Sequence, residues 1–203
     1  RLAADGALWR EVILLAVGRL VHLAGDTDKP YALVNRLCPQ TVVADKESAW
    51  RHAWLAGDVL LEMGLARVRE DDWGAALLGR VAQRLARLVA EGRLTPRERL
   101  DAGDTLGQLG DPRPGVCTPE PELIAIPAGP FLMGEKQHEI MIEQPYAIGR
   151  YPVTNAQYRL FIEDGGYTEK WRRCWTEDGW AYHDRGQPRY LHEEQYNRPN
   201  QPV

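Results

Sequence analysis

An excess of positive charge is the first thing this sequence lacks. Its 25 Lys and Arg stand against 29 Asp and Glu, a net charge of −4. That balance gives no basic surface for a phosphate backbone, and nucleic acid is not an expected partner. Long hydrophobic runs are missing too. The apolar stretch Val12–Val17 is cut by Gly18 and Arg19, well short of the roughly 18 residues that a membrane span needs, so no membrane is expected. Cysteine is scarce. Cys38, Cys117 and Cys174 are an odd number in no Cys-x-x-Cys or Cys/His spacing, which argues against a disulfide framework and a zinc site and fits a reducing, cytoplasmic compartment. A Gly-x-x-x-x-Gly-Lys-Ser/Thr phosphate loop is absent. A start at Arg1 without a leader, and a close on Val203 directly after Asn-Arg-Pro-Asn-Gln-Pro, predict a piece of a longer protein.

What is present falls into two halves. Residues 1–110 read as successive helices. Leu8, Val12, Ile13, Leu14, Leu15 and Val17 make a helix apolar nearly all round, which predicts burial. Asp28 and Pro30 open a second helix through Leu37. A third is predicted from Asp45 to Met63, stopped by Gly64. Trp73, Leu77, Val81, Leu85 and Leu88 line a fourth, followed by Gly92. Thr95-Pro96-Arg97-Glu98 is a capping box with proline at the first helical position, and that helix should end at Gly110. Ala56-Gly57-Asp58 recurs 46 residues later as Ala102-Gly103-Asp104. That period fits HEAT or armadillo repeats, with a plain helical bundle as the alternative.

Four prolines fall within residues 111–121, which excludes helix and central strand there. Short strands are predicted beyond, at Leu123–Ile126, Phe131–Met133, His138–Ile142 and Tyr146–Ile148. Thr154-Asn155-Ala156-Gln157 is a second capping box, opening a helix with Tyr158, Phe161 and Ile162 on its apolar face and Gly165-Gly166 as its stop. From Tyr167 to Tyr196 there are seven aromatics and no Ile or Val, which predicts long irregular loops.

Specific words in this half carry a resemblance. They are Ile126-Pro127-Ala128-Gly129-Pro130-Phe131-Leu132-Met133-Gly134, Tyr151-Pro152-Val153-Thr154-Asn155-Ala156-Gln157-Tyr158, Gly165-Gly166-Tyr167, Trp175-Thr176-Glu177-Asp178-Gly179-Trp180 and Asn197-Arg198-Pro199-Asn200-Gln201-Pro202-Val203. In this order they resemble the start of a formylglycine-generating-enzyme domain, the sulfatase-modifying factor family. The resemblance implies an irregular mixed fold related to C-type lectins, with copper at a catalytic Cys pair, and calcium. That Cys pair and most calcium ligands would lie beyond Val203, so the resemblance places no catalytic or metal residue in this chain, and no cofactor is expected within it. The helical half, through Trp9-Arg10-Glu11-Val12-Ile13-Leu14-Leu15-Ala16 and Ala102–Arg113, resembles the region joining a NACHT-type NTPase to such a domain in bacterial STAND signalling proteins. This implies an NTPase module in the same full-length chain.

The expected fold class is therefore α+β. An all-α, HEAT-like array spans residues 1–110, a Pro-rich linker 111–121, and the first part of a C-type-lectin-like formylglycine-generating-enzyme fold 122–203. The expected function is a ligand-recognition or regulatory module of a NACHT/STAND-type signalling protein, with an unknown protein or small molecule as ligand. The alternative is a fragment of a copper-dependent formylglycine-generating oxidase acting on a sulfatase cysteine. Candidate ligand-binding residues are Trp171, Trp175, Trp180, Tyr182 and Tyr190, since rings with polar handles suit recognition. Cys174 beside Arg172 and Arg173 could be a reactive thiol or a packed one. Arg80, Arg84 and Arg87 share a helix face that could meet an anion or simply solvent. His183-Asp184 and His192-Glu193-Glu194 could offer metal ligands but read first as turns.

Overall fold

The computed structural model describes residues 6–41, 46–183, 193 and 196–203. It contains a helical part followed by a part with small sheets. The chain divides into two units, one of residues 1–112 with 198–200 and the other of residues 113–197 with 201–203. None of the described helices is long and apolar enough to cross a membrane.

The first unit is built from α1 (Gly6–Gly18), which runs on into a π-helical turn (Arg19–Leu23), α2 (Asp28–Leu37), α3 (Glu47–Met63), α4 (Leu65–Glu70), α5 (Asp72–Ala90) and α6 (Pro96–Leu109). The starts follow local chemistry. Asp71 accepts from the Gly74 amide at 2.6 Å to open α5. Thr95 and Glu98 close the reciprocal box on α6. The stops at Gly64 and Gly110 have φ of 87° and 102°, a region that favours glycine. The core gathers Leu60 and Met63 of α3, Leu77, Leu85 and Leu88 of α5, and Leu106 of α6.

A buried polar chain threads this core. Asp58, 5% exposed, receives Arg10 Nε at 2.9 Å and the Thr105 hydroxyl at 3.0 Å, while Trp54 Nε1 donates to Thr105 Oγ1 at 3.0 Å. Burial pushes the Asp58 carboxyl above its ordinary value, and Arg10 and Thr105 pull against that. The predicted basic face of α5 is engaged. Arg84, Arg87 and Arg93 lie over the Trp50 ring, with Cζ at 6.0, 5.8 and 5.8 Å from its centroid. Arg80 donates to Asn35 Oδ1 at 2.7 Å.

The 46-residue echo has a third copy, visible once burial is known. Leu14-x-x-Val17-Gly18 in α1, Leu60-x-x-Met63-Gly64 in α3 and Leu106-x-x-Leu109-Gly110 in α6 share one spacing, and Val17, Met63 and Leu109 are all buried. In space α3 packs against both α1 and α6. The outer layer shows a related pattern at an offset of 47 residues: Pro30, Val34 and Cys38 of the α2 region answer Leu77, Val81 and Leu85 of α5, all on buried faces, and α2 packs against α5.

One expectation fails here. The first helix is not buried all round: Val17 is buried, but Trp9, Val12 and Leu15 are exposed. Arg10 ties this helix to Asp58 of α3, while Trp9, Val12 and Leu15 face outward.

The second unit nests one ribbon inside another. Strands β1 (Leu123–Ile126) and β4 (Tyr146–Gly149) pair antiparallel, with Ile126 opposite Tyr146; between them β2 (Gly129–Met133) and β3 (His138–Ile142) form an antiparallel hairpin of their own. Glu122 accepts from Arg150 Nη1 at 2.7 Å just past the outer ribbon. Helix α7 (Asn155–Glu163) starts at the Thr154 box. The Thr154 hydroxyl accepts from the Gln157 amide and donates to Val116 O at 2.6 Å. Gln157 Nε2 donates to Gly115 O at 3.2 Å and Thr118 O at 3.0 Å. Proline-rich residues 113–121 are thus tied into this unit. The stretch from Tyr167 onward also differs from the loops expected. It forms a 3-10 helix (Glu169–Cys174) and α8 (Glu177–His183). The Glu177 start follows Thr176, whose hydroxyl accepts from the Gly179 amide at 3.0 Å, so a local cap supplies what aliphatic periodicity does not.

Candidate functional site

The turn after α7 shapes the site. Gly165, with φ of 76°, ends the helix, and Gly166 folds back so closely that a Cβ there would lie 2.1 Å from Phe161 Cε2. The chain therefore passes directly over the Phe161 ring, which only glycine permits. Thr168 Oγ1 then donates to Gly165 O at 2.6 Å and launches the 3-10 helix.

That compact turn collects the rings. Phe161 meets Tyr167 edge-on at 5.2 Å and Trp175 at 6.4 Å; Tyr167 lies 5.6 Å from Trp175, and Trp180 stands edge-on to Trp175 at 6.0 Å. Trp175 is the hub, anchored by Nε1 to Gly166 O at 3.0 Å. Beside it opens a cleft of about 490 Å³, lined by Phe161, Asp164, Trp171, Cys174 and Trp175. Asp164 is its polar wall. Its carboxylate accepts from Trp171 Nε1 at 2.8 Å and from Lys170 Nζ at 2.5 Å. The Lys170 hydrogen bond, helped by Trp171, holds the Asp164 carboxyl below its ordinary value against a smaller desolvation cost. Asp164 is therefore an acceptor at neutral pH, not an acid. Deeper in, Tyr158 and Tyr167 share a hydroxyl contact, and burial, then Tyr167, pushes the Tyr158 phenol well above its usual range.

Cations rim the rings. Lys170 Nζ and Arg173 Cζ sit 5.2 and 5.6 Å from the Trp171 centroid, and Arg172 Cζ 5.0 Å from that of Trp180 while pairing with Glu177. The arrangement can stack a planar or apolar group between aromatic walls.

Of the residues named from sequence, Trp171 and Trp175 line the cleft together. Trp180 supports Trp175 from outside the lining. Tyr182 is 68% exposed and is not part of the lining. Tyr190 lies outside the described residues, as do Asp184 and His192. Phe161 and Asp164 are the residues sequence reasoning did not name as site members. Their signal was position: one sits a helical turn ahead of the Gly165 stop, the other immediately before it. Cys174 is an exposed free thiol on the cleft wall. Among the described residues no three His, Cys, Asp or Glu side chains gather to hold a metal ion.

Residues 110–203 match the family described as the sulfatase-modifying factor enzyme 1-like domain. Among curated proteins, the chain is similar to the hercynine oxygenase of Mycolicibacterium smegmatis, with 39% identity over 82 residues, 34% of this chain and 18% of that protein. It is also similar to the hercynine oxygenases of Mycolicibacterium thermoresistibile, 44% identical over 54 residues, 26% of this chain and 12% of that protein, and of Mycobacterium tuberculosis, 41% identical over 54 residues, 27% and 12%. The chain thus spans under a fifth of the length of these relatives. No solved structure matches it.

Proposed function

We propose that residues 110–203 are the opening part of a sulfatase-modifying-factor-type catalytic domain, and that the whole protein is an oxygen-using enzyme of the formylglycine-generating or hercynine-oxygenase kind. The observation that carries this reading is that residues 110–203 match the family and that the chain is also similar to hercynine oxygenases. In it, the ribbons and α7 form the start of a C-type-lectin-like fold, and the cleft beside Trp171 and Trp175 contributes an aromatic wall for substrate. Residues 1–110 serve as a HEAT-like scaffold, and the free thiols suit a cytoplasmic setting. The chemistry itself, and any metal it needs, is assigned to residues outside this chain's described part.

A second reading has one observation in its favour. An open cleft walled by Phe161, Trp171 and Trp175, with its Asp164 carboxylate held by Lys170 and Trp171, is also what a recognition module of an NTPase-linked signalling protein would use. The full-length protein separates the two. Oxygen uptake is measured with hercynine, and aldehyde formation on a sulfatase-type cysteine peptide. Turnover with either is expected, with Trp171→Ala raising KM more than it lowers kcat. No turnover with either substrate would favour the recognition module.

A further inference from the structure

The chain is acidic overall, yet its helical unit gathers cations in one place. Arg80, Arg84 and Arg87 recur at i, i+4 and i+7 of α5, so they stand on one helical stripe, and Arg93 joins them from the turn after the helix. The guanidinium carbons of Arg84, Arg87 and Arg93 lie 6.0, 5.8 and 5.8 Å from the centre of the Trp50 ring. The ring orders these side chains but does not neutralise them, since a π-face carries no net charge. Counter-charge is scarce. Glu91 accepts from both Arg87 and Arg93, one carboxylate between two cations. No hydrogen bond or ion pair from the described residues reaches the Arg84 guanidinium, which has only the Trp50 ring. Arg80 is half satisfied: Nη2 donates to Asn35 Oδ1 at 2.7 Å, while Nε is buried without a partner. The Cys38 thiol, 1% exposed, lies within the field of both Arg84 and Arg80, but burial outweighs them and pushes it up, so it stays neutral. Like charges held together without a counter-ion repel, and a buried guanidinium N–H without an acceptor adds a desolvation cost. An arriving anion relieves both.

We propose that Arg80 and Arg84, beside Asn35, form a site for the phosphate group of a small phosphomonoester, in the positive field of Arg87 and Arg93. Charge and shape choose that ligand. A guanidinium is a planar fork that matches phosphate oxygens in pairs. A phosphomonoester brings about two charges and three acceptor oxygens on one centre, enough for two forks, whereas a carboxylate brings one charge and fills one. A nucleic acid would have to lay its further phosphates across a chain of net charge −4, so the local patch suits a compact anion and not a polymer. The site lies within the helical unit and is independent of the aromatic cleft and of the activity proposed for residues 110–203.

The test is isothermal titration calorimetry of the full-length protein with glycerol phosphate, inorganic phosphate and acetate at one ionic strength. A single saturable site for both phosphates is expected, with acetate weaker by more than about tenfold. Arg84→Gln should weaken both phosphates by more than about tenfold. Lys136→Gln removes the same charge from the exposed turn between β2 and β3 and should leave them unchanged. Arg84→Lys keeps the charge and the apolar stem, and should still bind at least about threefold more weakly than the wild type because it lacks the fork. It carries the test if circular dichroism shows that Arg84→Gln does not fold. The proposal is overturned if phosphate binding does not saturate, if acetate binds as tightly, if either folded Arg84 variant binds phosphate like the wild type, or if Lys136→Gln loses as much. Capture of phosphatidic-acid vesicles through Arg84, with no binding of the free phosphates, would assign the patch to a membrane and overturn the small-ligand site.

Discussion

The two glycines of the 46-residue echo should respond to alanine in opposite directions. Both lie inside helices, Gly57 in α3 and Gly103 in α6, where alanine is favoured over glycine by about 1 kcal/mol. At Gly103 a Cβ would meet nothing within 4 Å, so Gly103→Ala should stabilise by close to that about 1 kcal/mol. At Gly57 the new Cβ would sit 2.8 Å from Thr105 Cγ2 and 3.2 Å from both Leu85 Cδ1 and Leu109 Cδ1. Thr105 cannot swing away, because its hydroxyl is pinned between Asp58 and Trp54. Overpacking of this kind costs about 1–3 kcal/mol, which outweighs the helical gain, so Gly57→Ala should destabilise by up to about 2 kcal/mol. Urea unfolding followed by far-UV circular dichroism reads both. Thr105→Ser closes the cycle: it removes Cγ2 and keeps the hydroxyl, so it should recover about 1 kcal/mol in the Gly57→Ala background. If Gly57→Ala is as stable as Gly103→Ala, or if Thr105→Ser gives no recovery, α3 and α6 are not packed as described.

Other outcomes follow from the caps, the acid side and the ring cluster. Thr95→Ala should cost about 1 kcal/mol, and Thr154→Ala about 2 kcal/mol, since it also strands the buried Val116 carbonyl; thermal melts should rank them in that order. Glu98 is held at about 2, first by its hydrogen bond from Arg51 Nε and then by Thr95. A depressed carboxyl stabilises fully above its ordinary value of 4.5 and loses that contribution as pH falls toward 2. The urea midpoint of the wild type should therefore fall between those values more than that of Glu98→Gln, the difference amounting to about 1 kcal/mol or less for a pair so near solvent. Trp175→Ala removes the hub of four rings and should cost about 3 kcal/mol with loss of the near-UV dichroism of the cluster. Retention of that signal would mean that the rings do not depend on Trp175.

What the sequence disclosed was what is settled within a few residues. The boxes at Thr95 and Thr154 formed because donor, acceptor and hydroxyl are all local. The four strands matched their alternation between Pro and Gly to within two residues. Features that depend on distant chain were opaque. Periodicity marked α1 as apolar on every side but carries no information on which neighbour lies there. The third repeat copy was hidden because α1 has Glu11-Val12 where α3 has Gly57-Asp58, leaving only the Leu-x-x-Val-Gly tail to match. In the site, a density of aromatics without Ile or Val picked out Trp171 and Trp175, which do line the cleft. It could not rank them above Tyr182, because ring content does not encode direction. Phe161 and Asp164 were missed because a helix-face residue and a helix-end residue acquire a shared role only when Gly166 folds the chain back over them.

The nesting of the two ribbons has a consequence for how this domain can vary. Ile126 and Tyr146 are register partners, so the chain leaves and re-enters the outer ribbon through a gap of about 5 Å, one strand spacing. Everything from Pro127 to Pro145 is thus an excursion whose ends already meet. Its length and sequence are uncoupled from the frame that sets Thr154 and the cleft. A short turn joining Ile126 to Tyr146 would remove the inner hairpin at little entropic cost, and a longer graft would be accepted at the same port. The molecule carries there a ready insertion site, at which relatives can diverge or a designer can splice a reporter while the rings around Trp175 keep their places.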